Sequence, residues 1–143
     1  MAKITKSIVI NAAVEKVFSY MEQVTNLPDV WPSLVEVRNV QPLPNGGSRF
    51  DWVYKMAGMR LEGASEITEY EANKRTVTES KGGIERTFIW TYEPEAGGTR
   101  VTVEVEYVVP VPVLGKLAAA IIVKQNEREA EQILANLKAK TET

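Results

Sequence analysis

No histidine and no cysteine occur among the 143 residues of this chain. The missing imidazole removes the side chain that most often serves as a general base near neutral pH. The missing thiol removes nucleophilic sulfur, disulfide staples and the usual zinc-binding sets. It also fits a reducing compartment. None of the glycines opens a helix directly after a strand, which excludes a phosphate-cradling loop. Acids such as Glu62, Glu66 and Glu69 lack a metal-ligand spacing, so neither a metal nor a cofactor is implied. The net charge of -2 comes without a basic cluster, which argues against a nucleic-acid partner. The longest apolar stretch, Leu117 to Val123, is too short to span a bilayer, and no integral membrane segment is expected. Met1 to Asn11 alternates apolar and polar residues and lacks the apolar core of a signal peptide. A cytoplasmic location is the expectation.

What is present reads as one domain over 1–143, since a 44% hydrophobic share at this length suffices for a real core. Ile4 to Asn11 is a strand, with Ile8 and Ile10 on one face. Asn11 looks like a helix N-cap, and Val14, Val17, Phe18 and Met21 follow at helical spacing. A second short turn runs through Val24 to Leu27 until Pro28 stops it, and Trp31 is kept out of helix by Pro32.

From Leu34 the period changes to two. Turn signals at Leu43–Gly47, Ala57–Gly58, Glu71–Lys74, Gly82–Gly83 and Glu95–Gly98 divide six strands, roughly 34–42, 48–56, 59–70, 75–81, 84–94 and 99–109. Connections this short make antiparallel hairpins. Pro110 and Pro112 end the last strand, and a single helix from about Val113 to Lys140 closes the chain. Its expected buried stripe runs through Leu114, Leu117, Ala118, Ile121 and Ile122, then Ala130, Ile133, Leu134 and Leu137. This is an α+β protein: a curved antiparallel sheet with one long helix to cover its apolar face, an arrangement that can leave a hollow between layers.

The order strand, helix pair, six strands, long helix resembles the START-like superfamily, described with the polyketide cyclase/dehydrase and lipid-transport group. Local echoes are Ile8 through Phe18, Leu27-Pro28-Asp29-Val30-Trp31-Pro32, Glu69 through Arg75, and Gly98-Thr99-Arg100-Val101-Thr102. The resemblance covers essentially the whole chain, although Ala13 stands where the family usually has proline after the first strand. It implies a helix-grip fold (β-α-α-β6-α) with a cavity between sheet and C-terminal helix that binds lipids, polyketides or isoprenoid-like molecules. Its members range from carriers to aromatase/cyclases, and no catalytic motif carries over.

A two-residue Gly82-Gly83 turn would set Glu79 opposite Arg86 and Val77 opposite Phe88. Arg86 shares parity with Phe88, Trp90 and Tyr92, so the pair is expected on the core-facing side. It is either a polar anchor in an apolar pocket or a wet ion pair at the sheet rim, worth at most about 1 kcal/mol. Trp52, Tyr54, Trp90 and Tyr107 line a cavity or simply fill the core. An Ala57-Gly58 turn would place Trp52 opposite Gly63 and Tyr54 opposite Leu61, making space for the indole or for a guest. Gly115, Ala118, Ala119 and Ala120 either close the helix onto the sheet or leave room above it. The Val109 to Val113 approach, with Leu114, Ile121 and Ile122, forms a mouth, a homodimer contact or part of the core. The expected ligand-facing set is therefore Trp52, Tyr54, Glu79, Arg86, Phe88, Trp90, Tyr107, Leu117 and Ile121. Binding of a hydrophobic small molecule is the leading expectation. A polyketide cyclase or dehydratase using the same cavity is the enzyme alternative, and a protein–protein adaptor is the third.

Overall fold

Period-two alternation decides which face of each strand is covered. In β7 (Gly98–Tyr107), Val101, Val103, Val105 and Tyr107 are buried, while Thr102, Glu104 and Glu106 lie half-exposed on the other face. In β6 (Arg86–Glu95), Arg86, Phe88, Trp90 and Tyr92 are the buried set. The structure, a computed structural model, describes residues 2–56, 58–82, 85–107 and 115–142, without the side chains of Ala2, Met56, Met59, Ala118 and Ala119. The Val109–Val113 approach, Leu114, Ala57 and Gly83 lie outside the described residues, as do the side chains of Ala118 and Ala119.

β1 (Ala2–Ile10) leads into α1 (Val14–Glu22), a 3-10 turn (Val24–Asn26) and α2 (Leu27–Val30). Then come β2 (Leu34–Pro42), β3 (Ser48–Met56), β4 (Met59–Glu71), β5 (Arg75–Lys81), β6 and β7, and finally α3 (Lys116–Thr141). The strands form one seven-stranded antiparallel sheet in the order β1-β7-β6-β5-β4-β3-β2. This is the expected helix-grip architecture.

Two local expectations fail. The N-cap of α1 is Ala13, without a side-chain bond, because the helix starts at Val14 and Asn11 lies too far upstream to reach its first amides. Asn11 instead donates its backbone N–H to Glu142 Oε2 at 2.7 Å, tying β1 to the end of α3. Pro28 does not stop a turn but sits in the first turn of α2, where a helix has no use for its missing N–H.

The long helix splits the molecule into unequal halves. α3 packs against β1, α2 and α1. Its buried residues Asn126, Ala130, Ile133, Leu134 and Leu137 close one part of the core together with Ile4, Ile10, Val101, Val103 and Val105. The expected continuation of that stripe through Leu117 and Ile121 is wrong: they are 80% and 51% exposed. At 3.6 residues per turn, Leu117 is about five and a half turns from Leu137, so it points the opposite way. The half of the sheet beyond β6 is roofed by α1, the 3-10 turn and α2, and that half is hollow.

Candidate functional site

A cavity of about 220 Å3 lies over the inner face of β2 to β6. One wall is the β3 row Phe50, Trp52 and Tyr54; the other is the β6 row Arg86, Phe88, Trp90 and Tyr92. Between them β4 and β5 present Ser65, Ile67, Thr76, Thr78 and Ser80 as a floor rich in hydroxyls. Phe18, Met21, Val24, Leu27 and Trp31 form the roof. The exposed residues Glu22, Gln23, Thr25, Val40, Pro42 and Gly46 form its rim, between the end of α1 and the β2–β3 hairpin. Close-packed interiors leave few voids larger than a water molecule. An apolar cavity of about 150 Å3 takes up benzene, so this hollow has room for a ring system larger than that.

Backbone irregularities shape it. A register shift between Ile67 and Glu69 is a bulge in β4 that turns Tyr70, rather than Glu69, toward the cavity. The Tyr70 hydroxyl donates to Glu22 and so links β4 to the end of α1 at the rim. Burial and the Glu22 carboxylate together push the Tyr70 pKa up to about 12. Trp52 pairs with Gly63 and Tyr54 with Leu61, the expected register. A Cβ on Gly63 would lie 2.5 Å from Trp52 Cζ2 and would overlap the Lys81 carbonyl oxygen. The missing side chain therefore makes room for the indole, not for a guest.

The cavity does not lie where the sequence pointed, between the sheet and the C-terminal helix. Among the described residues its lining includes no α3 side chain. Leu117 and Ile121 face outward, and the buried stripe of α3 is already filled by the packed half of the sheet. Of the other expected residues, Trp52, Tyr54, Arg86, Phe88 and Trp90 line the cavity together. Tyr107 is buried on β7 directly opposite Arg86 of β6 but is not among the described lining residues.

Glu79 is not the partner of Arg86. Ser80 pairs with Arg86, Glu79 with Thr87 and Thr78 with Phe88, one residue away from the expected register. The β5–β6 connection is longer than two residues, and Lys81 pairs with Ala64 of β4. A one-residue shift moves a side chain to the other face, so Glu79 meets water while Ser80 turns inward and shares a 2.5 Å hydrogen bond with Ser65.

Arg86 is left as a buried cation without a carboxylate within 4.0 Å among the described residues. Its Nη1 donates to Tyr54 Oη at 3.3 Å and to Asn126 Oδ1 at 3.2 Å. The guanidinium lies over the Tyr54 ring at 4.6 Å and the Phe88 ring at 5.1 Å, both within cation–π range. Its Nε has no partner among the described groups. Burial lowers the Arg86 pKa to about 10.

Trp31 joins this cluster to α3. Its Nε1 donates to Tyr54 Oη at 3.1 Å and to Glu129 Oε1 at 2.7 Å, and Ser33 donates to the other Glu129 oxygen. Burial raises the Glu129 pKa against the pull of those donors. The indole also stands edge-on to Phe88, with centroids 5.0 Å apart. Sequence reasoning missed Asn126, Glu129 and the Thr76, Thr78, Ser80 stripe. Asn126 was findable, because it lies four, seven and eleven residues before Ala130, Ile133 and Leu137, in phase with the buried stripe.

Among the described residues no cluster of three or more acidic, His or Cys side chains could hold a metal ion, and no helix is long and apolar enough to cross a membrane. No functionally curated protein matches the chain in sequence. Similar solved structures include protein TTHA0849 from Thermus thermophilus, with TM-score 0.86 and 21% identity over 98% of this chain and 97% of that one. The Zhui aromatase/cyclase from Streptomyces sp. R1128 superposes with TM-score 0.85 at 13% identity, covering 99% and 93% of the two chains. A START superfamily protein from Mycobacterium smegmatis gives 0.74 at 17% identity, covering 98% and 97%. At these identities the likeness is one of fold. The sequence itself matches the family described as polyketide cyclase/dehydrase and lipid transport over residues 1–142. The chain belongs to that polyketide cyclase/dehydrase and lipid-transport family.

Proposed function

We propose that the protein binds a hydrophobic or amphipathic small molecule in the hollow between β2–β6 and the α1–α2 roof. The 220 Å3 of unfilled space carries this reading, because one half of the same sheet is closely covered by α3 and the other is not. Aromatic walls with a few polar groups are the usual composition of a small-molecule site. Native mass spectrometry of gently purified protein tests it: a co-purifying ligand-sized mass, or saturable binding of a hydrophobic probe, supports the reading. A clean apo mass with no probe binding removes it.

A polyketide cyclase or dehydratase using the same hollow is the second reading, favoured by the convergence of Tyr54 and Arg86 on one patch of wall. Such a pair could stabilise a developing enolate. A base would also be required, and Glu22 at the rim is the sole carboxylate among the described lining residues. Binding without obligatory chemistry therefore fits the lining better.

A further inference from the structure

We infer that the ligand is an aromatic or alicyclic organic acid whose carboxylate seats against Arg86 and Tyr54. This rests on the reading that the hollow is a ligand site.

Two features on the wall lack a counterpart. The first is the charge of Arg86. The residue is 8% exposed, its guanidinium sits on two aromatic faces, and no carboxylate lies within ion-pair distance among the described residues. The carboxylate linked to the cluster, Glu129, reaches it only through the Trp31 indole. An unpaired buried charge is costly unless something neutralises it. A neutral carbonyl satisfies a donor but leaves that charge standing, whereas an anion answers both.

The second is the hydroxyl proton of Tyr54. A phenol oxygen has two lone pairs and one proton. Here the oxygen accepts from Trp31 Nε1 at 3.1 Å and from Arg86 Nη1 at 3.3 Å. Its own proton has no acceptor among the described groups, so Tyr54 must donate outward from the cluster. A guanidinium and an O–H donor side by side match the two oxygens of one carboxylate. The rest of the molecule then lies between Trp52 and Trp90, above Thr78. A flat ring system fits that slot, and its body must be apolar.

Isothermal titration of the full chain with 2-naphthoate, its methyl ester and naphthalene tests this. The acid is expected to bind about tenfold or more tightly than the ester, as a charge-assisted pair requires. That preference is expected to vanish in Arg86→Met, with a melting curve showing that the variant is folded. Should Arg86→Met not fold, the acid–ester ratio of the wild type decides alone. Equal binding of acid and ester overturns the acid while leaving the hollow as a ligand site. A preference that persists in folded Arg86→Met overturns the assignment to Arg86. No binding of any of the three overturns this inference; the ligand-site reading falls with it only if native mass spectrometry also shows a clean apo mass.

Discussion

Parity alone places Arg86 on the inner face, since Phe88, Trp90 and Tyr92 alternate with it. Its partner was not legible, because register depends on the length of the β5–β6 connection, and the observed pairing is one residue away from the one a two-glycine turn would set. The result is a cation held by Tyr54 and Asn126 at the expense of stability. Replacing it with the apolar, similarly long Met is expected to leave the urea midpoint unchanged or higher, as with other buried charges. A loss beyond about 2 kcal/mol would contradict this, because it would mean that the guanidinium is fully compensated. Glu129 carries the complementary prediction. Its folded-state pKa is raised by burial, so ionisation is penalised in the native protein, and stability falls as pH rises above 4.5 through that raised value. Glu129→Gln removes the penalty. The stability gained by the variant is expected to be small near pH 4 and to grow toward neutrality; a gain constant from pH 4 to 8 would contradict the assignment.

At the scale of elements, each strand was readable from its alternation, and all the expected strands are present. The long helix was readable over most of its length, Lys116–Thr141 against an expected 113–140, but its buried face only in the second half. A run apolar nearly all round, Leu117 to Val123, gives no phase of its own. Counting back from Leu137 would have turned Leu117 and Ile121 outward. The energetic consequence is a contrast along one helix. Leu137→Ala is expected to cost about 2–5 kcal/mol, whereas Leu117→Ser should stay within about 0.5 kcal/mol. Chemical denaturation checks both, and equal losses would mean that the first turns of α3 are buried after all. Gly63 makes a similar point for the sheet. Alanine there meets a backbone carbonyl that cannot step aside and the ring of Trp52, and a destabilisation of about 1–3 kcal/mol is expected from overpacking. A neutral result would show that β3 and β4 separate easily.

At the scale of the whole molecule, the fold followed from element order, but the location of the hollow did not. Sequence order put the only long helix over an apolar face, and the natural guess was a space beneath it. The buried stripe of α3 instead packs onto the β1–β7–β6 side, leaving a void of only about 10 Å3 there, and the α1–α2 segment bridges the remainder without filling it. The β4 bulge, the inward turn of the β5 hydroxyls and the Trp31 link between Tyr54 and Glu129 depend on register and on non-local packing, which composition and periodicity do not encode. Thr78 sits on the floor of the hollow, half-buried and facing inward, where added volume has somewhere to go. Titrating an environment-sensitive naphthalene dye against wild type and Thr78→Trp therefore addresses the central claim. Saturable binding by the wild type, at least about tenfold weaker in the folded variant, is the expected result. Equal binding by both proteins, or none by either, would contradict a guest housed between the sheet and the α1–α2 roof.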